Sequence, residues 1–192
     1  MRNFGSRMSA LCCIALAVMA SACSLIPRGA VPTGPDAKII SDTVRQTQEQ
    51  VALGQYKKAL ETYANAYNRH HLRELRQRYA RDGEQIRNTA DAACQRKDYA
   101  EAGTVYRILF ESGITTRDFA ASLSFDDEYL NGQINVCSKA LTEYGLMRYR
   151  EEKLDEAISA WEKVLAFDPD NKAVMKAIDT AARQLQNLKS IK

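Results

Sequence analysis

The 192-residue chain has few residues that break structure or carry chemistry: four prolines, nine glycines and two histidines, with three of the prolines before residue 36. Beyond that point only Pro169 can stop a helix by its fixed φ and missing N–H, and no Gly- or Pro-rich block interrupts the chain. The two histidines, His70 and His71, are adjacent. They leave no obvious Ser-His or Cys-His couple, and neighbouring helical side chains point about 100° apart, which makes a poor metal pair. HExxH, GxSxG, Walker and GxGxxG patterns are all missing, and the paired acids Asp126 and Asp127 sit where helix capping explains them. No enzyme, cofactor, metal or small-molecule substrate is therefore expected. Strong charge is lacking too. The formal charge is +3, and without Arg2 and Arg7 of the leader 25 Lys and Arg face 24 Asp and Glu, which gives no argument for nucleic acid. No stretch alternates apolar and polar residues between turn signals, so no sheet is expected.

Of five cysteines, Cys12 and Cys13 lie inside residues 1–22 and Cys23 follows them. That opening reads as an export signal: Arg2 and Arg7, an apolar run over 8–19 too short to span a membrane, then the small residues Ala20, Ser21 and Ala22. Ala20-Ser21-Ala22-Cys23 resembles the lipobox of bacterial lipoproteins, with Ala20 where the family usually has Leu. The resemblance implies a signal peptide over 1–22 and diacylglycerol (and palmitate) on Cys23. It also implies a lipid-anchored protein on the periplasmic side of the outer membrane, because Ser24 stands where Asp retains lipoproteins in the inner one. Ala20-Ser21-Ala22 is also an A-x-A site for ordinary secretion, which leaves a soluble secreted protein as the alternative. With Pro27, Pro32 and Pro35, residues 24–36 read as an extended tether.

From residue 37 the apolar spacing is helical. A first helix is expected over 37–53, broken by Gly54, and a second over 55–68. Tyr56, Ala59, Tyr63 and Ala66 are echoed by Tyr99, Ala102, Tyr106 and Leu109, and again by Leu154, Ala157, Trp161 and Val164, always at offsets 0, +3, +7 and +10. These offsets put one stripe on a helix face, the small residue admitting a neighbour and the aromatic filling the space beside it. Leu72, Leu75, Tyr79, Ile86, Ala90 and Ala93 form a further stripe, and Leu130, Ile134, Cys137, Leu141 and Tyr144 another, predicting helices of about 25 residues. Between them residues 113–124 are a connector, with Ser124 the expected N-cap of a helix starting near Phe125. Asp170 is the expected cap of a last helix over 172–192, whose Val174, Ile178, Ala181, Leu185 and Leu188 cover the open end. Its two heptads are short for a coiled coil, so a monomer is expected, with a homodimer through this helix as the alternative.

Leu141, Gly145, Ala157, Trp161 and Pro169 fall at the spacing of the tetratricopeptide (TPR) repeat family, which residues 37–171 resemble, most closely at their end. The middle copy keeps Ile86, Ala90, Ala102 and Tyr106 but lacks the proline. The copies begin 43 and 55 residues apart, against about 34 in the family. The fold class this implies is all-α: a TPR-like solenoid of antiparallel helix pairs with elongated first helices and a C-terminal capping helix. The function implied is non-catalytic: a cell-envelope scaffold or assembly adaptor binding a periplasmic or envelope protein.

By position in such a stack, the partner groove presents Arg87, Asp91 and Gln95 from the middle copy, then Lys139, Thr142, Leu146, Tyr149 and Arg150 from the last. That mixed surface suits a peptide or a partner's helix. A basic patch of Arg69, Arg73 and Arg76 shares one face if they lie on one helix, giving the alternative of a glycan- or anionic-lipid-binding protein; a solvated helix side is the plainer reading. Cys94 falls near the end of one long helix and Cys137 near the middle of the next. With the repeats aligned, an offset of about twelve residues, roughly 18 Å, puts them beyond disulfide reach. Cys137 reads as a small core residue.

Overall fold

The computed structural model of the chain describes residues 34–118 and 120–190, so Cys23, the segment read as a signal peptide and most of the segment read as a tether lie outside the described residues. Every regular element described is helical. Seven α-helices run in order: α1 Pro35–Ala52, α2 Tyr56–His70, α3 Arg73–Gln95, α4 Tyr99–Glu111, α5 Asp127–Arg150, α6 Leu154–Phe167 and α7 Lys172–Ser190. No strand occurs among the described residues. Pro35 and Asp36, read from the sequence as tether, instead form the first turn of α1. At that position proline's fixed φ matches the helix and its missing N–H would have had no partner.

Three helix hairpins share one turn. Gly54, Lys97 and Glu152 take the left-handed conformation at φ 69°, 64° and 62°. The next N–H reaches back five residues each time: Gln55 to the Gln50 carbonyl at 2.8 Å, Asp98 to Ala93 at 2.9 Å and Lys153 to Arg148 at 3.0 Å. Such a bond closes the end of one helix and sets the next antiparallel to it. Tyr56, Tyr99 and Leu154 then open α2, α4 and α6, so the repeated stripes begin at the same point of each hairpin.

Two expected caps move. The side chain of Asp126, not Ser124, accepts from the Tyr129 N–H at 2.8 Å and starts α5. Asn171, not Asp170, accepts from the Val174 N–H at 3.1 Å and starts α7. A capping side chain must reach an N–H about three residues on, and only these positions lie directly before the first helical residue. Freed from capping, Ser124 gives both its N–H and its hydroxyl to the Glu84 carboxylate on α3.

That contact sets how α5 lies along α3. The connector between α4 and α5 holds two single turns of 3₁₀ helix, Ile114–Thr116 and Ala120–Ser122, and Ile114 is buried against Gly83 of α3. The connector delivers Ser124 to Glu84; one and a half turns further on, the Tyr129 hydroxyl donates to Asp91 at 2.7 Å. The start of α5 is therefore level with the middle of α3, not with its beginning. This overturns the register assumed from repeat alignment.

The main core runs through α2, α3, α4 and α5 and includes Tyr63, Tyr79, Ile86, Tyr106, Leu109, Leu130 and Ile134, with Phe167 closing it from the end of α6. Gly103 has no side chain, so the Phe167 ring approaches to where a Cβ would stand 2.7 Å away. A second cluster, Ala157, Trp161, Val164, Val174 and Ala181, joins α6 to α7, and Leu141 touches both. Tyr144, read as part of the buried α5 stripe, is 41% exposed; Gly145 takes the inward position.

Candidate functional site

The C-terminal half of α5, the middle of α6 and the start of α7 form an open groove of about 300 Å³, lined by Leu146, Tyr149, Trp161, Lys176, Ala177 and Thr180. Its floor exists because of Gly145. A Cβ there would stand 2.2 Å from the Trp161 indole nitrogen, so only glycine lets the indole lie flat against α5. The Trp161 Nε1–H donates to the Thr142 carbonyl at 3.2 Å, which fixes the ring, and the Tyr149 ring packs beside it at 6.0 Å. The Tyr149 hydroxyl donates to the Gln184 side chain at 2.8 Å and ties the end of α5 to α7. The groove is thus aromatic at its base, aliphatic on the α5 wall and cationic and hydroxylic on the α7 wall.

Of the residues expected to bind a partner, Leu146 and Tyr149 line this groove. Thr142 supports it through its carbonyl, its own hydroxyl being returned to the Ser138 carbonyl at 2.7 Å. Arg150 is exposed at the end of α5, and Lys139 is exposed one face away, 4.0 Å from Glu143. Arg87, Asp91 and Gln95 are not gathered there. Gln95 is exposed near the end of α3, whereas Arg87 and Asp91 pair with each other, and Arg87 also contacts Glu84 at 3.2 Å. Asp91 accepts the hydroxyls of Tyr106 at 2.6 Å and Tyr129 at 2.7 Å. It therefore joins α3, α4 and α5, a structural use of groups expected to meet a partner. Burial, with the adjacent carboxylate, pushes both phenols above their ordinary pKa.

The α7 wall was not foreseen. Ala173, Lys176, Ala177 and Thr180 form a second stripe beside the expected Val174, Ile178 and Ala181, and its small and polar residues do not stand out in a hydrophobic pattern.

The basic patch changes as well. α2 ends at His70, His71 is left-handed at φ 49°, and α3 begins at Arg73. Arg69 therefore sits on a different helix from Arg73 and Arg76, so the single-helix face does not form. Arg76 lies 3.9 Å from Asp118, and Arg78 pairs with Glu74 at 3.5 Å.

Other depressions among the described residues include one of about 610 Å³ between α2 and α4, with Lys57, Glu61, Asn65, Asn68 and Arg117 among its lining. Another, of about 440 Å³, lies beside Tyr67, His71 and Asp118, and a third, of about 390 Å³, lies between α5 and α6 and includes Leu141, Tyr144 and Lys163. Among the described residues no group of His, Cys, Asp and Glu could hold a metal ion, and no helix is long and apolar enough to cross a membrane. No protein-family model matches the chain, and no curated protein matches it.

Proposed function

We propose that the protein is a lipid-anchored envelope adaptor: a TPR-like stack of helix pairs, held to the outer membrane through Cys23, that grips an extended segment or helix of a periplasmic partner. The observation that carries this reading is the groove over Trp161. Trp161, 3% exposed, supports the groove from beneath, while Leu146 and half-buried Tyr149 offer apolar area to an anchor side chain and exposed Lys176 offers a charge that orients a peptide. Three hairpins with the same left-handed turn and the same buried stripe support the repeat reading, and the 23 and 24 residues of α3 and α5, against 13 and 14 in α4 and α6, support elongated first helices.

A photo-crosslinking residue at Leu146 or Thr180 in intact cells is expected to capture one discrete protein, and the same residue at Lys57 to capture none of it. Equal capture from all three positions, or none, sinks the groove as the binding site. Cys23→Ala is expected to move the protein from membranes to the soluble periplasmic fraction, and retention in membranes would remove the anchor.

A further inference from the structure

The last hairpin overhangs the one before it. Glu84 with Ser124 and Asp91 with Tyr129 show that α3 and α5 run the same way, so their partners α4 and α6 do too. Gly103 on α4 meets the Phe167 ring at the end of α6, and one turn further along α4 the Arg107 guanidinium donates to the Phe167 carbonyl and lies 3.8 Å from Asp168. Because α4 starts at Tyr99, one turn before Gly103, its start is level with Lys163. Leu154 to Lys163 therefore extend roughly 14 Å beyond α4. Along this overhang α7 covers one side, packing Val174 and Ala181 onto the cluster of Ala157 and Trp161. The other side, which α4 fills lower down, is open. It is the depression of about 390 Å³, lined by Leu141, Tyr144, Asp155, Ser159, Ala160 and Lys163 among others.

We propose that this open face is a homodimer interface, in which a second copy laps its own overhang onto the first. Two observations select that occupant. The face prolongs the seat of α4, so it is shaped to receive a helix, and its base is small or apolar: Ala160 is 3% exposed, Leu141 half-buried and Tyr144 41% exposed. Its charges are also self-complementary. Asp155, Ser159 and Lys163 recur every four residues along one exposed ridge of α6, with the acid at one end and the base at the other. About 12 Å of rise separates Asp155 from Lys163, and neither has an ion-pair partner among the described residues, whereas the neighbouring Glu156 is held by Arg148 at 3.4 Å. A two-fold axis across α6 at Ser159 sets the two α6 helices antiparallel and brings Asp155 against the partner's Lys163 twice. Ser159 and Ala160 at the crossing are small enough for close approach, and Leu141 and Tyr144 lose exposed apolar area to the partner. An unrelated helix has no need of an acid and a base at this spacing; a second copy supplies both. The overlap is short, so the dimer is a weak one. It does not rest on the adaptor reading, and it leaves the Trp161 groove open on the α7 side.

The test is sedimentation velocity of the full chain from roughly 1 to 100 µM, the range in which a short interface associates. The expected mass rises with concentration from one chain toward two. Lys163→Asp and Asp155→Lys each set like charges against each other in both contacts, and each should weaken self-association by about tenfold or more. An equimolar mixture of these two variants should recover the dimer as a heterodimer, and the double exchange D155K/K163D should recover it alone. Recovery in the mixture requires that both variants fold. A wild type that stays monomeric at the highest concentration overturns the proposal, as does loss of the dimer in both variants without recovery in the mixture. A dimer that survives both reversals and is abolished by Leu185→Asp belongs to α7 and overturns it too.

Discussion

Gly145 shows how one residue without a side chain shapes a site. It was legible as a repeat position in the sequence, but its partner was not: the Trp161 indole occupies the place a Cβ would need. Gly145→Ala must push the indole away, weakening its bond to the Thr142 carbonyl. The expected cost is about 1–3 kcal/mol, typical of overpacking, read as a lower urea midpoint with an unchanged far-ultraviolet spectrum. An unchanged midpoint would mean that α5 and α6 separate freely here. Asp91 teaches the opposite lesson. In sequence it is one acid on a helix face, and it was assigned to a partner. Its two tyrosines come from α4 and α5, 15 and 38 residues away, so only the assembled core shows that its oxygens are already used.

At the scale of helices, the hairpin turns are the clearest elements, because the same physics recurs three times. Gly54 takes the left-handed conformation at no steric cost, whereas Lys97 and Glu152 do so with a Cβ present. Lys97→Gly and Glu152→Gly are each expected to stabilise the fold by about 0.5–1 kcal/mol, the relief of the left-handed penalty exceeding the extra freedom of glycine in the unfolded chain. Thermal melts check this: a lower midpoint in both variants would show that these side chains contribute more than the turn costs. Helix type was legible from periodicity, and the start of each repeated stripe coincides with a helix start. The caps were less so. Serine and aspartate both cap well, and choosing Asp126 over Ser124 requires knowing that Glu84 has already engaged the serine.

Across the whole domain, several buried hydroxyls and one thiol titrate together. Tyr63, Tyr106 and Tyr129 are held above the usual phenol value chiefly by burial, and Cys137 is held at about 12 for the same reason. The unfolded chain releases these protons near pH 8.5 for cysteine and 10 for tyrosine, while the folded protein keeps them to higher pH. Between the two values the folded state binds more protons than the unfolded one, so stability falls as pH rises. The full contribution is present below about pH 8 and is lost progressively above it. Urea midpoints should be level from pH 6 to 8 and drop clearly by pH 10.5; a flat profile to pH 11 would show that these groups titrate alike in both states.

The amino-acid sequence by itself determined that the described chain is helical, where three hairpins reverse and which faces are buried, because periodicity, left-handed turns and caps act over a few residues. It placed Trp161, Tyr56, Tyr63, Tyr99 and Tyr106 in the core; Tyr63, Tyr106 and Trp161 are buried, whereas Tyr56 and Tyr99, at the starts of α2 and α4, are half-buried. Tertiary structure alone decided how far α5 slides along α3, and with that the engagement of Asp91 by Tyr129. It also decided that α7 supplies the second wall of the groove. Register between non-adjacent helices depends on contacts made across a connector, such as Ile114 against Gly83 and Ser124 against Glu84. No local pattern encodes the distance between residues that meet only after the chain has turned back twice.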